Sequence, residues 1–305
     1  MEFFLLKSFV MALSALALAV LGASAASASE WGEGRRAVLV VSFGTFAPEA
    51  ERAVCNLADA VRRAFPDVEL RLAYTSNVIR RRLAKERNVD IPTPASALAR
   101  MNDEGFTHVY VMPTHIVHGE EYEDIKCLVE AFASVKGKYG FKELKLGAPC
   151  LSSAADCGAL AGVLARRFAK ELERGDTAVV LMGHGTPRRG SNAMYALLQL
   201  ALDREAPGRF FIGTLKAAPL LDDLLPRLAA EGWIRRLVLS PLMIVAGSHA
   251  SRELADSERA ESWYCRLRAA GYGDISLFLS GLGEDAGMAA LYVSRIRDMM
   301  RQGGQ

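Results

Sequence analysis

A chain of 305 residues, 51% of them apolar, can bury one large core or two of ordinary size, since domains run to roughly 100–150 residues; two are expected. The formal charge of +2, with no basic tail and no run of cations interleaved with aromatics, excludes an electrostatic footprint for nucleic acid or for an anionic membrane surface. Five scattered cysteines without a CxxC or CxxCH spacing exclude a thioredoxin-like site and c-type haem attachment and argue against a cysteine zinc centre.

The chain opens with MEFFLLK, then the apolar run SFVMALSALALAVLG and the small-residue segment ASAASAS. That run is shorter than the roughly 20 residues a spanning helix needs, and small residues suit peptidase cleavage. A signal peptide cut after Ala25 or Ala28 is predicted, giving an exported, periplasmic protein with no stable membrane anchor after cleavage. An odd cysteine count in an oxidising compartment leaves at least one thiol unpaired. Cys150 and Cys157 are a possible pair, which their spacing does not require.

From Arg36 onward short apolar strands alternate with amphipathic helices. Strands are predicted near residues 37–43, 68–74, 107–113 and 144–149, and again near 177–183, 209–215, 236–242 and 275–280. A helix over 155–174 joins the two sets, and one over 285–301 is expected to pack back as a brace. Strand–helix alternation with continuous apolar strands means parallel sheets covered by helices. The fold expected is α/β, with two similar Rossmann-like domains, each a doubly wound parallel sheet, facing a central cleft. The expected division is a signal peptide at 1–28, an N-terminal domain at 36–150, a connecting helix at 151–175, a C-terminal domain at 176–284 and a bracing helix at 285–305.

The two halves are written in register. AVLVVSFGTF from Ala37 matches AVVLMGHGTP from Ala178, which places Phe43 on His184. HVYVMPTHIVHGEEY from His108 matches RLVLSPLMIVAGSHA from Arg236, which places Pro113 on Pro241, Gly119 on Gly247 and Glu121 on His249. In open parallel sheets ligands bind at the carboxyl ends of strands. His184, Glu121 and His249 all follow predicted strands, so two imidazoles and a carboxylate from three strand ends are expected to meet in the cleft. Such a set suits cobalt, nickel, iron or zinc and supplies a base near neutral pH. The glycines flanking His184 are expected to let a flat ligand approach, with Pro187 in the first turn of the next helix. The same GHGTPRRG turn is also open to a phosphate-cradle reading, with Arg188 and Arg189 as cations, although it lacks the Walker lysine–serine pair and the dinucleotide glycine spacing.

MGHGT, THIVHGEEYEDI and IVAGSHA, in that set and spanning nearly the whole chain from Arg36, resemble the anaerobic cobalt chelatases, the sirohydrochlorin cobaltochelatases of the type II chelatase group. The resemblance implies insertion of a divalent metal into a tetrapyrrole without ATP. It implies His184 and His249 as the metal-binding pair and Glu121 as the cleft glutamate, with the metal as substrate (Co2+ foremost, Fe2+ or Ni2+ as alternatives) and no organic cofactor. Arg188 and Arg189 are then candidates to bind the substrate carboxylates, and Arg80, Arg81 and Arg82 read better as a solvated helix face. His118 is a candidate haem ligand, which keeps open a periplasmic tetrapyrrole, haem or metal carrier without turnover. A homo-oligomer is expected.

Overall fold

The computed structural model describes residues 34–302; the predicted signal peptide and its cleavage positions lie outside the described residues. From Gly34 onward the chain forms one compact unit. Its elements run β1 (Arg36–Ser42), α1 (Pro48–Ala64), β2 (Glu69–Tyr74), α2 (Asn77–Arg87), α3 (Pro94–Asp103), β3 (His108–Pro113), α4 (Glu120–Ser134) and β4 (Glu143–Leu146) in the first half. There follow α5 (Ala154–Arg167), α6 (Ala169–Leu172), β5 (Thr177–Gly183), α7 (Arg189–Glu205), β6 (Phe210–Thr214), α8 (Leu221–Ala230), β7 (Arg236–Pro241), α9 (Trp263–Ala269), β8 (Asp274–Leu277) and α10 (Ala286–Arg301).

Each half builds a four-stranded, all-parallel sheet, in the order β2-β1-β3-β4 and β6-β5-β7-β8. β1 and β5 are central and buried from end to end but for Arg36, as their Val- and Leu-rich runs demand when helices cover both faces. Each fully buried Val or Leu contributes about 1.5–3 kcal/mol, so these strands and the helices upon them dominate the core. The repeat read from the sequence is the repeat of the sheets: Val41 lies opposite Pro113, and Met182 opposite Pro241. In each sheet the order reverses between the first and third strands of its half. There a crevice opens at the carboxyl ends, because successive connections leave in opposite directions.

The edge strands β4 and β8 end three residues before their predicted limits, since each has a partner on one side alone. The expected 155–174 helix is broken at Phe168, which is buried edge-to-face against Phe210 and Phe278, with ring centroids 6.1 and 5.0 Å away. Just before the break, the buried guanidinium of Arg167 donates to the Ser280 hydroxyl at 2.7 Å and to the Ser280 and Gly281 carbonyls at 3.0 and 3.2 Å. α10 packs on α1, and its Arg295 donates to the carbonyls of Pro149 and Cys150 and to Asp156. All five cysteines are free thiols, so Cys150 and Cys157 do not pair here. No described helix is long and apolar enough to cross a membrane.

Candidate metal and tetrapyrrole site

Strand β5 delivers His184 to the crevice of the second sheet, and β7 leads through the loop 242–247 to His249, which stands at the start of a helical turn. Their rings lie 5.1 Å apart between centroids at an interplanar angle of 65°, so the structure brings the two predicted imidazoles together. His184 Nδ1 is 2.9 Å from the Gly185 carbonyl. A carbonyl only accepts, so Nδ1 carries the proton and Nε2 keeps its lone pair for a metal. Burial holds the His184 pKa below the usual imidazole value, and the Lys216 charge adds to this, against the Gly185 carbonyl and Glu121. His249 is lowered chiefly by burial, then by His184 and Lys216. Both rings are therefore neutral near pH 7, the form that binds metal.

The GHGT turn has a rigid frame. Gly185 adopts φ +73°, and a Cβ there would sit 2.6 Å from Thr214 Oγ1. A Cβ on Gly183 would meet the ring of Tyr195 at 2.7 Å. The flanking glycines thus admit the protein's own side chains, rather than a flat ligand as the sequence led us to expect. Buried Asn192 clamps the turn from α7, accepting from Thr186 N–H at 3.0 Å and donating to the Thr186 carbonyl at 2.6 Å. Tyr195, whose pKa burial pushes up to about 12, accepts from Gly185 N–H at 3.4 Å. Pro187 lies two residues ahead of α7 rather than in its first turn, with Arg188 at the N-cap.

Glu121 sits in the first turn of α4, where the helix dipole favours a carboxylate, and the Thr75 hydroxyl donates to its Oε2 at 2.5 Å. Its charge reaches His184. Even so, among the described residues no three His, Cys, Asp or Glu side chains stand close enough to form a metal-ligand group. The site as it stands is a histidine pair with a carboxylate held nearby on a hydroxyl. Thr75 was missed in the sequence, although the repeat offers a signal: it falls opposite apolar Leu215. Nothing local to the sequence marks Asn192, Tyr195 or Lys216.

The halves interlock through the loops that carry these residues. Gly119 approaches Thr186, where an added Cβ would lie 3.4 Å from the hydroxyl, and Ser191 donates to the His118 carbonyl at 2.5 Å. In return, Val245, on the way to His249, packs against the buried cluster of Val54, Tyr74 and Leu83 in the first half. Around Gly119 Arg188 and His118 are tied together through Glu123: His118 Nε2 is 2.5 Å from Glu123 Oε2, and Arg188 is 3.3 Å from the same oxygen. That nitrogen of His118 is engaged by a carboxylate. The Arg189 side chain lies outside the described residues. In the Arg80–Arg82 run, Arg80 donates to the Ile91 carbonyl at 2.6 Å, and Arg82 pairs with Glu86 at 2.9 Å and stacks over Phe46.

The family described as cobalt chelatase (CbiK) matches residues 36–301. The chain is 33% identical over 267 residues to a sirohydrochlorin cobaltochelatase of Salmonella typhimurium, covering 87% of this chain and 97% of that one. It is 34% identical over 262 residues to the sirohydrochlorin cobaltochelatase CbiKC of Nitratidesulfovibrio vulgaris, covering 86% and 89%. Among solved structures, SirB from Bacillus subtilis with Fe3+ superposes with a TM-score of 0.60 at 13% identity, over 88% of this chain and 98% of that one; at that identity the likeness is one of fold.

Proposed function

Because the chain belongs to the cobalt chelatase (CbiK) family, we propose that it inserts Co2+ into sirohydrochlorin or a closely similar tetrapyrrole, without ATP, in the crevice between its two sheets. The observation that carries this reading is the neutral His184–His249 pair, 5.1 Å apart between centroids, with Glu121 of the other half close enough for its charge to act on His184.

The overall exchange takes one hydrated dication and a macrocycle with two pyrrole N–H groups and yields the metallated ring and two protons. His184 Nε2 and His249 displace water from the ion and hold it at one face of the ring. Movement of Glu121 off Thr75 brings a carboxylate to the ion or to a pyrrole proton. As the ring nitrogens take over the metal, the imidazole released accepts one proton, Glu121 accepts the other, and both pass to water. Burial and Lys216 disfavour a lasting imidazolium, which speeds the return of each imidazole to its metal-binding form. The substrate's carboxylates are met at the rim by Lys216, which is exposed and has no salt bridge among the described residues, and by Arg188, with Glu123 as its resting partner.

The test follows visible absorbance of sirohydrochlorin with Co2+, Ni2+ or Fe2+ against the spontaneous rate. Acceleration is expected, greatest with Co2+, and His184→Ala and His249→Ala should each abolish most of it without loss of fold. Wild-type rates in both variants would refute the site. No acceleration with any of the three metals would refute the enzyme reading and favour a carrier.

A further inference from the structure

One left-handed turn ends the first strand of each half. Gly44, at φ +91°, follows Phe43 as Gly185, at φ +73°, follows His184. Ser76 N–H donates to the Phe43 carbonyl at 3.2 Å, and Lys216 N–H to the His184 carbonyl at 3.1 Å. Both glycines are closed off by the neighbouring strand: a Cβ on Gly44 would lie 2.4 Å from the Tyr74 ring, as one on Gly185 would meet Thr214. With the backbone fixed alike on both sides, the residue before the glycine leaves each sheet in the equivalent direction. In the second half that residue is His184. In the first it is Phe43, a side chain with no metal-binding atom.

Phe43 is 50% exposed, although it directly follows a strand that is buried throughout its apolar length. A phenyl ring left half in water at the carboxyl end of a central strand forgoes burial free energy that neighbouring positions collect. Its neighbours on both sides lead towards the histidines. Thr75, beside Ser76, holds Glu121, whose charge acts on His184. Phe46, three residues on, and Val245 of the loop that leads to His249 pack against one buried cluster, Val54, Tyr74 and Leu83.

We infer that Phe43 is the stacking platform of the tetrapyrrole: one face of the macrocycle rests on its ring, across the cleft from the metal held by His184 and His249. The inference rests on the chelatase reading and adds to it the residue that positions the ring. A flat conjugated macrocycle needs an apolar, non-ligating surface on the side away from the incoming ion; a second ligand there would compete for the metal as it enters. Phenylalanine supplies a π face with neither charge nor lone pair, and planar stacking on aromatic side chains is a substantial, shape-tolerant interaction.

The experiment compares wild type with Phe43→Ala, Phe43→Leu and Phe43→Trp. Metal-free sirohydrochlorin is titrated by quenching of protein fluorescence, Co2+ alone by calorimetry, and insertion is followed at saturating metal. Phe43→Ala should weaken macrocycle binding at least tenfold and raise KM correspondingly, with Co2+ affinity within about twofold of wild type and the circular dichroism unchanged. Phe43→Trp should restore binding to within about threefold, and Phe43→Leu should not. Equal macrocycle binding by Phe43→Ala and wild type, rescue by Leu as complete as by Trp, or a loss of Co2+ affinity in Phe43→Ala would each overturn the inference while leaving the chelatase reading in place. A wild-type protein that binds Co2+ but no sirohydrochlorin would overturn both.

Discussion

His115 is a point of weakness in the loop that leads from β3 to the helix carrying Glu121. Neither of its ring nitrogens reaches solvent or any hydrogen-bond partner, and burial alone lowers its pKa from 6.5 to about 4. The unfolded chain therefore binds a proton at a pH where the folded protein refuses it. The stability contributed by keeping His115 neutral is complete above the unfolded value near 6.5 and is lost as the pH falls towards 4. Integrating over that window gives a loss of about 2 kcal/mol by roughly pH 5 and about 3 kcal/mol by roughly pH 4. Carboxylates titrate across the same range, so wild type must be compared with His115→Leu, which retains bulk and cannot protonate. Urea denaturation at about pH 7.5, 6, 5 and 4 should show wild type losing about 2 kcal/mol more than the variant by pH 5. Parallel stability profiles, within about 0.5 kcal/mol at every pH, would refute the reasoning, because a solvated or hydrogen-bonded imidazole would titrate alike in both states.

Glu121→Gln keeps the hydrogen bond to Thr75 within reach but removes basicity; insertion should slow at least tenfold, about 1.4 kcal/mol in the barrier, while sirohydrochlorin affinity measured on the same sample stays put. Gly185→Ala forces a side chain into φ +73° and against Thr214; a cost of about 2 kcal/mol, or roughly 4–8 °C in Tm, should accompany loss of Co2+ binding as His184 is displaced, and an unchanged melting curve would contradict the packing described. Metal binding is expected to persist below the ordinary imidazole pKa, because His184 and His249 are both lowered; a Co2+ titration against pH whose midpoint lies above about 6.5 would go against that. Export, proposed from the first residues, predicts a mature N-terminus at Ala26 or Ser29 when protein from a periplasmic fraction is sequenced, whereas Met1 retained in a membrane pellet would favour an uncleaved anchor.

Much of this architecture is local in origin and so could be read before any coordinates. Continuous apolar runs such as AVLVV and AVVLM must be buried on both faces, which makes the sheets parallel and puts helices around them. The repeat register carried over into pairing, with Val41 on Pro113 and Met182 on Pro241. It also places Glu121 and His249 at equivalent positions after the third strand of each half. Strand order, by contrast, depends on pairings between segments tens of residues apart, and it is the order β2-β1-β3-β4, repeated in the second sheet, that sets where a crevice opens at the carboxyl ends of the strands. Periodicity reports which side of an element is buried, not what lies against it. Hence the packing of Tyr195 on Gly183, the clamp by Asn192, the pairing of Arg188 with Glu123 and the hold of Thr75 on Glu121 emerged only when the chain was folded. The sequence by itself determined the strands, the helices and the chemistry placed at their ends; the tertiary structure decided which of those ends share a cleft, because charge, burial and hydrogen bonding at a site depend on neighbours that distant segments bring together.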